Sequence, residues 1–374
     1  MNNVLIQIIL IYGPQHILGG MVAAERENIG VAKFRKVFVF RQNWLSTTNF
    51  ELMVEDCQRV LELSSSEFHS VLESDWEKYL SELETFVSKA REEGCEIEFL
   101  FPHDVVTNTV KAILSCTGKV NIICYGDGMG TVFSRKTITL SRLRGFRRLK
   151  QKVKFALIER DFLRKVDIFH LMLPVVESKI GGIATKLQVP DRSTIRKTID
   201  GLCLESKDKM SEFIGSRMDS KTAVICLENL AESQFSEFEK EVQLYAYFAS
   251  SLNIEITKIY LKPHPLQEMS KIGVIADAIL GREVFALPDY LSRTPIEYWP
   301  LENFQGIVCS MGVPNISLRY LYNLSVVNPA SDAVIRKFID NSYHESFFWV
   351  EQQLRSIEIK LEKWDTSSIL YNQQ

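Results

Sequence analysis

The sequence lacks paired cysteines, long hydrophobic runs and any internal repeat. Its seven cysteines include no Cys-x-x-Cys pair, which argues against a disulfide framework or a zinc site and favours reduced, buried thiols. The apolar run near the start of the sequence, residues 4–12, is shorter than the ~18 residues that span a bilayer. It also lacks the basic segment and the cleavage site of a signal peptide. We therefore expect a cytoplasmic globular protein.

A large excess of one charge is also absent, because 44 basic side chains face 47 acidic ones. This near-neutrality excludes a polycation that wraps nucleic acid and a disordered polyanion. The charge is nevertheless segregated. Residues 51–98 contain fourteen acidic and four basic side chains, whereas residues 135–165 contain twelve basic and two acidic ones.

At 374 residues, with 46% hydrophobic side chains, the chain is long enough for two domains. In the first half, apolar strands are predicted at 4–12, 36–40, 96–101 and 119–125, with helices at 17–25 and 105–115. Residues 50–91 show helical periodicity, which predicts one long helix that ends at Gly94. This alternation indicates an α/β domain.

The second half repeats the alternation after a polar stretch, residues 189–221, which predicts an interdomain connection. Strands are predicted at 222–227, 256–262, 284–286 and 306–309, and helices at 236–252, 314–324 and 333–363. We expect an N-terminal Rossmann-like domain at 1–195, a C-terminal Rossmann-like domain at 215–330 and a helical tail at 331–374. Two such domains facing a central cleft form the GT-B type of α/β fold.

Ligands of open α/β sheets bind beyond the carboxyl ends of strands, so residues at those positions are the candidates for chemistry. The strand at 119–125 is followed by Gly126-Asp127-Gly128. These glycines let the backbone turn sharply and leave space for a ligand beside the Asp127 carboxylate. The alternative is an Asx-turn or a helix cap.

The strand at 256–262 ends in Lys262-Pro263-His264-Pro265. The prolines restrict the backbone on both sides of His264, so the imidazole is held on a stiff loop where it can bind and neutralise a phosphate. The alternative is a structural or solvated histidine.

Two further positions fit a nucleotide. Glu297 could accept hydrogen bonds from a ribose diol, or it could be an exposed glutamate in the first turn of a helix. Ser310 follows the strand at 306–309 together with Cys309, and it could bind phosphate or cap the next helix.

Together and in this order, these motifs resemble those of the bacterial sialyltransferase and polysialyltransferase families of GT-B fold. Those families have an acidic-acidic-Gly motif, a His-Pro motif and a serine pair, matched here by residues 126–128, 264–265 and 309–310. The loop from Gly13 to Leu18, which includes His16, and the segment Pro295-Ile296-Glu297 are similar to the first loop and the ribose site of those families.

The resemblance implies inverting, metal-independent transfer of sialic acid, or a related nonulosonic acid, from a CMP-sugar to a glycan hydroxyl, with no further cofactor. Asp127 would be the general base, and His264 would hydrogen-bond or protonate the departing phosphate. Lys262, Pro265, Glu297, Cys309 and Ser310 would bind the donor, while Gly13, His16, Gly126 and Gly128 would line the acceptor side. Closure of the cleft would exclude water.

The sequence departs from the family pattern at two positions. Gly126 stands where the families often have the first acidic residue, which leaves Asp127 as the only carboxylate of the motif. Cys309 replaces one serine of the pair, and a thiol is a weak hydrogen-bond donor.

The basic segment 135–165 has apolar residues between its charges. It could lie on anionic lipid at the inner face of the membrane, hold an anionic glycan or glycolipid acceptor, or be a solvated helix face. Nucleic acid is the least favoured partner, since no binding motif accompanies the charge. The cations predicted at this surface are Arg142, Arg144, Arg147, Arg148 and Lys150.

Three other functions remain open at this point. The same fold could serve a CMP-Kdo transferase or a nucleotide-sugar epimerase. It could also be a scaffold that binds a glycan or a membrane without catalysis, an alternative that Gly126 favours.

Overall fold

The structure is a computed structural model that describes residues 4–25, 33–42, 47–61, 66–102, 108–118, 120–126, 143–173, 187–202, 204–265 and 267–371. The chain forms two compact units that divide next to residue 203. Among the described residues, no helix is both long and apolar enough to cross a bilayer. The six described cysteines are free thiols, as expected.

The first unit contains a parallel sheet of seven described strands, β1 (Val4–Ile11), β2 (Lys33–Arg41), β3 (Glu67–Val71), β4 (Glu96–Phe101), β5 (Asn121–Cys124), β6 (Ile168–His170) and β7 (Leu187–Gln188). They lie in the order β3-β2-β1-β4-β5-β6-β7. The direction of strand addition reverses between β1 and β4, which is the topological switch point of a doubly wound sheet.

Helices connect these strands, namely α1 (Pro14–Ala24), α2 (Thr47–Leu61), α3 (Trp76–Glu92), α4 (Asn108–Thr117), α5 (Gly145–Lys165) and α6 (Arg192–Leu202). α1 begins with Pro14, whose fixed φ suits the first helical position. β1 is buried almost throughout, as expected for a strand with both faces covered.

The predicted single helix at 50–91 is wrong, because β3 separates α2 from α3. β3 is a mostly polar edge strand that pairs with β2. Arg35 donates to Glu67 across this edge at 2.8 Å, and Arg41 donates to Glu73 at 2.7 Å. These partners come from a distant part of the chain, so local periodicity does not reveal the strand.

The predicted end of the helix at Gly94 is confirmed. Gly94 has φ +80°, and the amide of Cys95 donates to the carbonyl of Ala90 at 2.9 Å. This left-handed cap favours glycine because it has no Cβ.

The polar connection predicted at 189–221 is in fact mostly helical, with α6 and then α7 (Leu204–Arg217). Asp191 caps α6 by accepting from the amide of Thr194 at 2.9 Å, and Ile195, Ile199 and Leu202 are buried along one face. The many polar residues of this stretch occupy the other helix faces and hide this short apolar stripe.

The second unit contains a five-stranded parallel sheet of β8 (Thr222–Cys226), β9 (Lys258–Lys262), β10 (Glu283–Ala286), β11 (Ile307–Cys309) and β12 (Val326–Val327). Its order is β10-β9-β8-β11-β12, so its switch point lies between β8 and β11. After α7, its helices are α8 (Phe238–Ser251), α9 (Met269–Ala278), α10 (Asp289–Ser292), α11 (Pro314–Tyr322), α12 (Asp332–Phe338) and α13 (His344–Tyr371).

Alternate residues of β8 enter two different apolar layers. Ala223 and Ile225 pack with α8, whereas Val224 and Cys226 pack with Trp299 on the opposite face. This two-sided burial positions the carboxyl ends of β8, β9 and β11 along one edge of the sheet.

Candidate functional site

In the first unit, the turn after β1 contains two of the predicted acceptor-side residues, Gly13 and His16. The side chain of His16 is buried, and its Nδ1 accepts a hydrogen bond from the amide of Tyr12 at 3.0 Å. The amide of His16 donates to the carbonyl of Gly13 at 3.1 Å. His16 therefore stabilises the turn between β1 and α1, at the switch point.

Gly126 lies two residues after the last residue of β5 and is buried, with φ +81°. A residue with a Cβ is strained in this left-handed conformation. The glycine that replaces the first acid of the family motif is thus the residue that this backbone favours. Asp127 and Gly128 lie outside the described residues, as does Arg142 of the predicted basic surface.

In the second unit, the residues after β8, β9 and β11 come to the same edge because the three strands are parallel neighbours. The predicted catalytic residue His264 and two of the predicted donor-binding residues, Lys262 and Ser310, lie here. The structure therefore brings together these parts of the predicted donor site.

His264 is half-buried in the loop after β9. Burial and, to a lesser extent, the positive charge of Lys262 lower the pKa of the imidazole to about 4, although Glu232 acts in the opposite direction. At neutral pH this histidine is uncharged, so it offers a ring N–H to a ligand rather than a positive charge. The solvated alternative is wrong.

Lys262 is buried at the end of β9. Its Nζ donates to the carbonyl of Ser292 at 2.5 Å and to that of Pro263 at 3.2 Å. These bonds connect the loop of His264 to the end of α10. Pro265, the next predicted donor residue, is exposed.

Ser310 is fully buried directly after β11, and its Oγ accepts from the amide of Gly312 at 3.0 Å. The hydroxyl thereby shapes the turn that leads into α11. Cys309 belongs to the apolar layer beneath α8, and burial raises the pKa of its thiol. Its predicted contact with a donor gains no support from this position.

Glu297 is half-buried in a 3-10 turn, Ile296–Tyr298, and its Oε1 accepts from the Oγ of Ser317 on α11 at 2.8 Å. Burial raises the pKa of this carboxyl, whereas the Ser317 bond and the charge of Lys262 lower it. The alternative of an exposed glutamate is wrong.

Sequence reasoning missed two buried or partly buried carboxyl groups near this edge. Glu228 follows β8 by two residues, and burial raises its pKa to about 7. Glu241, on α8, accepts from the Gln267 amide group at 3.1 Å, and the backbone amide of Gln267 donates to the carbonyl of His264 at 2.9 Å. This bridge braces the His264 loop. The position of Glu228 after a buried strand was a usable signal.

The predicted basic surface is described from residue 143 onward. Arg144, Arg147 and Lys150 are exposed, and Arg148 is half-buried. Phe146, Leu149 and Val153 are 79%, 58% and 53% exposed, and their spacing places them on one side of α5. An exposed apolar row therefore lies among cations.

No three His, Cys, Asp or Glu side chains come together as a metal site in the part of the chain that the structure describes.

The sequence and the fold are similar to those of known proteins. The family model for alpha-2,8-polysialyltransferase (POLYST) matches residues 58–311. UDP-GlcNAc 2-epimerase from Neisseria meningitidis has a similar structure, with a TM-score of 0.50 and 10% identity over 97% of this chain and 100% of that one. A family 9 glycosyl transferase from Veillonella parvula is more distant, with a TM-score of 0.40 and 12% identity over 97% and 98%. No curated protein matches the sequence.

Proposed function

We propose, from the premise that the chain belongs to the alpha-2,8-polysialyltransferase family, that it transfers sialic acid from CMP-sialic acid to a glycan hydroxyl with inversion. That the chain is a glycosyltransferase of GT-B fold follows from the family match and the fold. The donor and the stereochemistry are the proposal. The observation that supports it is that His264 and Ser310 follow β9 and β11, the two strands that flank β8, at the same edge of the second sheet.

The donor phosphate would lie over the turn between β11 and α11. The helix begins at Pro314, and the amides at a helix N-terminus favour an anion. His264, which is uncharged at neutral pH, would donate its ring N–H to a phosphate oxygen. As the bond to the sugar breaks, this donor and the amides would stabilise the charge that develops on CMP.

Glu297 would hold the ribose. Its Oε1 is already bound by Ser317, so the carboxyl group is oriented before the donor arrives. A preoriented carboxylate loses less side-chain entropy when it accepts from the two ribose hydroxyls.

Asp127 would act as general base and remove the proton of the attacking hydroxyl, as expected from the sequence motif. Gly126, the residue before Asp127, lies just beyond the carboxyl end of β5, where ligands of such sheets bind. In the proposed transfer the acceptor oxygen would attack the anomeric carbon from the face opposite the departing phosphate, so the product would have inverted configuration.

The proposal includes no metal ion or further cofactor. A CMP-sugar has one phosphate, whose single negative charge the His264 N–H and the helix amides can stabilise without a divalent cation.

The acceptor would be an anionic glycan or glycolipid, and α5 would hold the enzyme on anionic lipid at the cytoplasmic face of the membrane. The exposed side chains of Phe146 and Leu149 favour lipid over nucleic acid or a purely solvated helix, because they can enter the acyl boundary while Arg147 and Lys150 bind headgroups.

The proposal is tested with the purified protein by thermal shift and by donor hydrolysis. CMP should raise the melting temperature more than UDP does, and CMP-sialic acid should release CMP in the presence of EDTA. H264A should reduce the CMP effect, whereas H69A, which removes an exposed histidine on β3, should not. Greater stabilisation by UDP, or no CMP release under any condition, would contradict the proposed donor.

A further inference from the structure

Glu228 lies at the end of the strand between the two loops that the proposed donor site uses. β8 is flanked by β9, which precedes His264, and by β11, which precedes Ser310. The amide of Leu227 donates to the carbonyl of Lys262 at 2.8 Å, so the pairing with β9 continues to the residue before Glu228. The Tyr245 hydroxyl accepts from the amide of Glu228 and donates to its carbonyl, which fixes the backbone there.

The carboxyl group of Glu228 lies directly against Gly312. A methyl group added to Gly312 would overlap the Oε1 of Glu228, so the carboxyl fills the space that a side chain at residue 312 would occupy. The amide of Gly312 donates to Ser310 in the turn that precedes α11. The acid therefore touches the turn over which the donor phosphate is proposed to lie.

The groups around Glu228 oppose a negative charge on it. The acidic groups that interact with it are Glu241 and Tyr245 on α8, Glu297 in the 3-10 turn and Cys226 on its own strand. The basic groups Lys262 and His264 lie at the end of the neighbouring strand β9 and in the loop after it. Burial is the largest cause that raises the pKa of Glu228 to about 7, and the charges of Glu241 and Glu297 add to it. An ionised carboxylate here would repel an anionic donor, whereas a protonated carboxyl has an O–H to donate.

We propose that Glu228 binds the donor as a neutral carboxylic acid, donating a hydrogen bond to an anionic oxygen of the nucleotide sugar. This inference rests on the proposed function and adds a donor-binding residue to it. Its consequence is that donor binding takes up a proton from solvent onto Glu228 in those molecules whose carboxyl is ionised, which are the majority at pH 7.5. No bond of the donor is broken in this step.

The test is isothermal titration calorimetry with 3-fluoro-CMP-sialic acid, which resists hydrolysis and whose phosphodiester does not titrate near neutrality. Measurements in two buffers of different ionisation enthalpy give the number of protons taken up. For the wild-type protein we expect proton uptake at pH 7.5 and an affinity that falls about tenfold between pH 6 and pH 8, because the binding form becomes scarce above its pKa. E228Q keeps a donor group of the same shape, so its affinity should be independent of pH and its proton uptake absent.

An anionic ligand also raises the pKa of His264, so this histidine could take up a proton as well as Glu228. The variant H264N distinguishes the two groups. Its affinity should fall while its proton uptake remains. Uptake that persists in E228Q, or that disappears in H264N, would overturn the role of Glu228 and leave the proposed donor standing. A wild-type protein that does not bind the analogue at any pH would instead contradict the donor and this inference together.

Discussion

The imidazole of His264 and the carboxyl of Glu228 have pKa values that differ from their usual ones in opposite directions, for the same reason. Burial disfavours the charged form of each, which lowers the pKa of the base to about 4 and raises that of the acid to about 7. Both groups can then meet an anionic donor as neutral hydrogen-bond donors. The proposed donor site would therefore depend on N–H and O–H groups more than on opposite charges.

At the residue scale, D127N tests the proposed base. The amide cannot accept the proton of the acceptor hydroxyl, so transfer should fall by about 10²–10⁴-fold while CMP binding stays near the wild-type value. Sialic acid transfer measured by chromatography, with CMP binding measured by calorimetry, checks both parts.

D277N is the matched control, because Asp277 is exposed on α9 and should not affect either quantity. Full activity of D127N would mean that another group is the base.

Gly126 shows what a residue motif alone leaves open. In the sequence motif, glycine stands where the families often have an acidic residue, and this difference favours a protein without catalysis. With φ +81°, it is the residue that the backbone after β5 accommodates best, and a second acid there would be strained. The conformation of one residue thus removes the main argument for an inactive scaffold.

At the element scale, strong local patterns were predictable and weak ones were not. The buried strands β1, β4 and β8 and the glycine stop after α3 were predicted because their signals lie within a few adjacent residues. β3 and α6 were missed. β3 is held by ion pairs to β2, which local periodicity does not reveal, and α6 has only a short apolar stripe.

Helix α5 carries a prediction of its own. F146S/L149S should lose the insertion of two exposed apolar side chains, and R147Q/K150Q should lose about 1 kcal/mol per cation near the surface. Flotation with vesicles that contain phosphatidylserine should show weaker binding of both variants, and the wild-type binding should decrease with salt.

The matched control for the apolar pair is I254S/L280S, since these two side chains are 90% and 86% exposed in the second unit. If the control loses as much vesicle binding as F146S/L149S, or if the wild-type protein does not float at low salt, α5 is not a membrane surface.

At the scale of the whole molecule, the net charge of −3 conceals a body of −13 and one segment of +10 at residues 135–165. Near-neutrality therefore does not mean weak electrostatics. An acidic body and a basic segment should orient the protein on an anionic surface, and this orientation should weaken with ionic strength.

The stability of the whole chain should depend on pH through Glu228. Its pKa is about 7 in the folded protein and about 4.5 without the fold, so the folded state binds more protons between these values. The stabilising contribution is complete below pH 4.5 and is lost as pH rises through 7. Thermal unfolding from pH 5 to pH 8 should show the melting temperature of E228Q rising relative to the wild type, by a few degrees at pH 8.

The melting temperatures of E228Q and the wild type are compared at each pH, which removes the contribution of His264 to the pH dependence of stability. The lowered pKa of His264 acts in the opposite direction below pH 6.5. E239Q, on the exposed face of α8, should follow the wild-type curve. A constant difference between E228Q and the wild type across this range would contradict the raised pKa.

The sequence by itself determined the alternation of strands and helices, the GT-B fold and the family, because buried strands and short motifs at their ends are local patterns. It also predicted His264, Glu297 and Ser310 as donor-site residues, and their roles stay a prediction; His264 and Ser310 were singled out because ligands bind where parallel strands end. Only the tertiary structure decided that His264 is uncharged, that Cys309 is buried in the core and that Glu228 lies against Gly312. Burial and charge at these positions depend on side chains far away in the sequence, which come together only when the sheet and its helices pack.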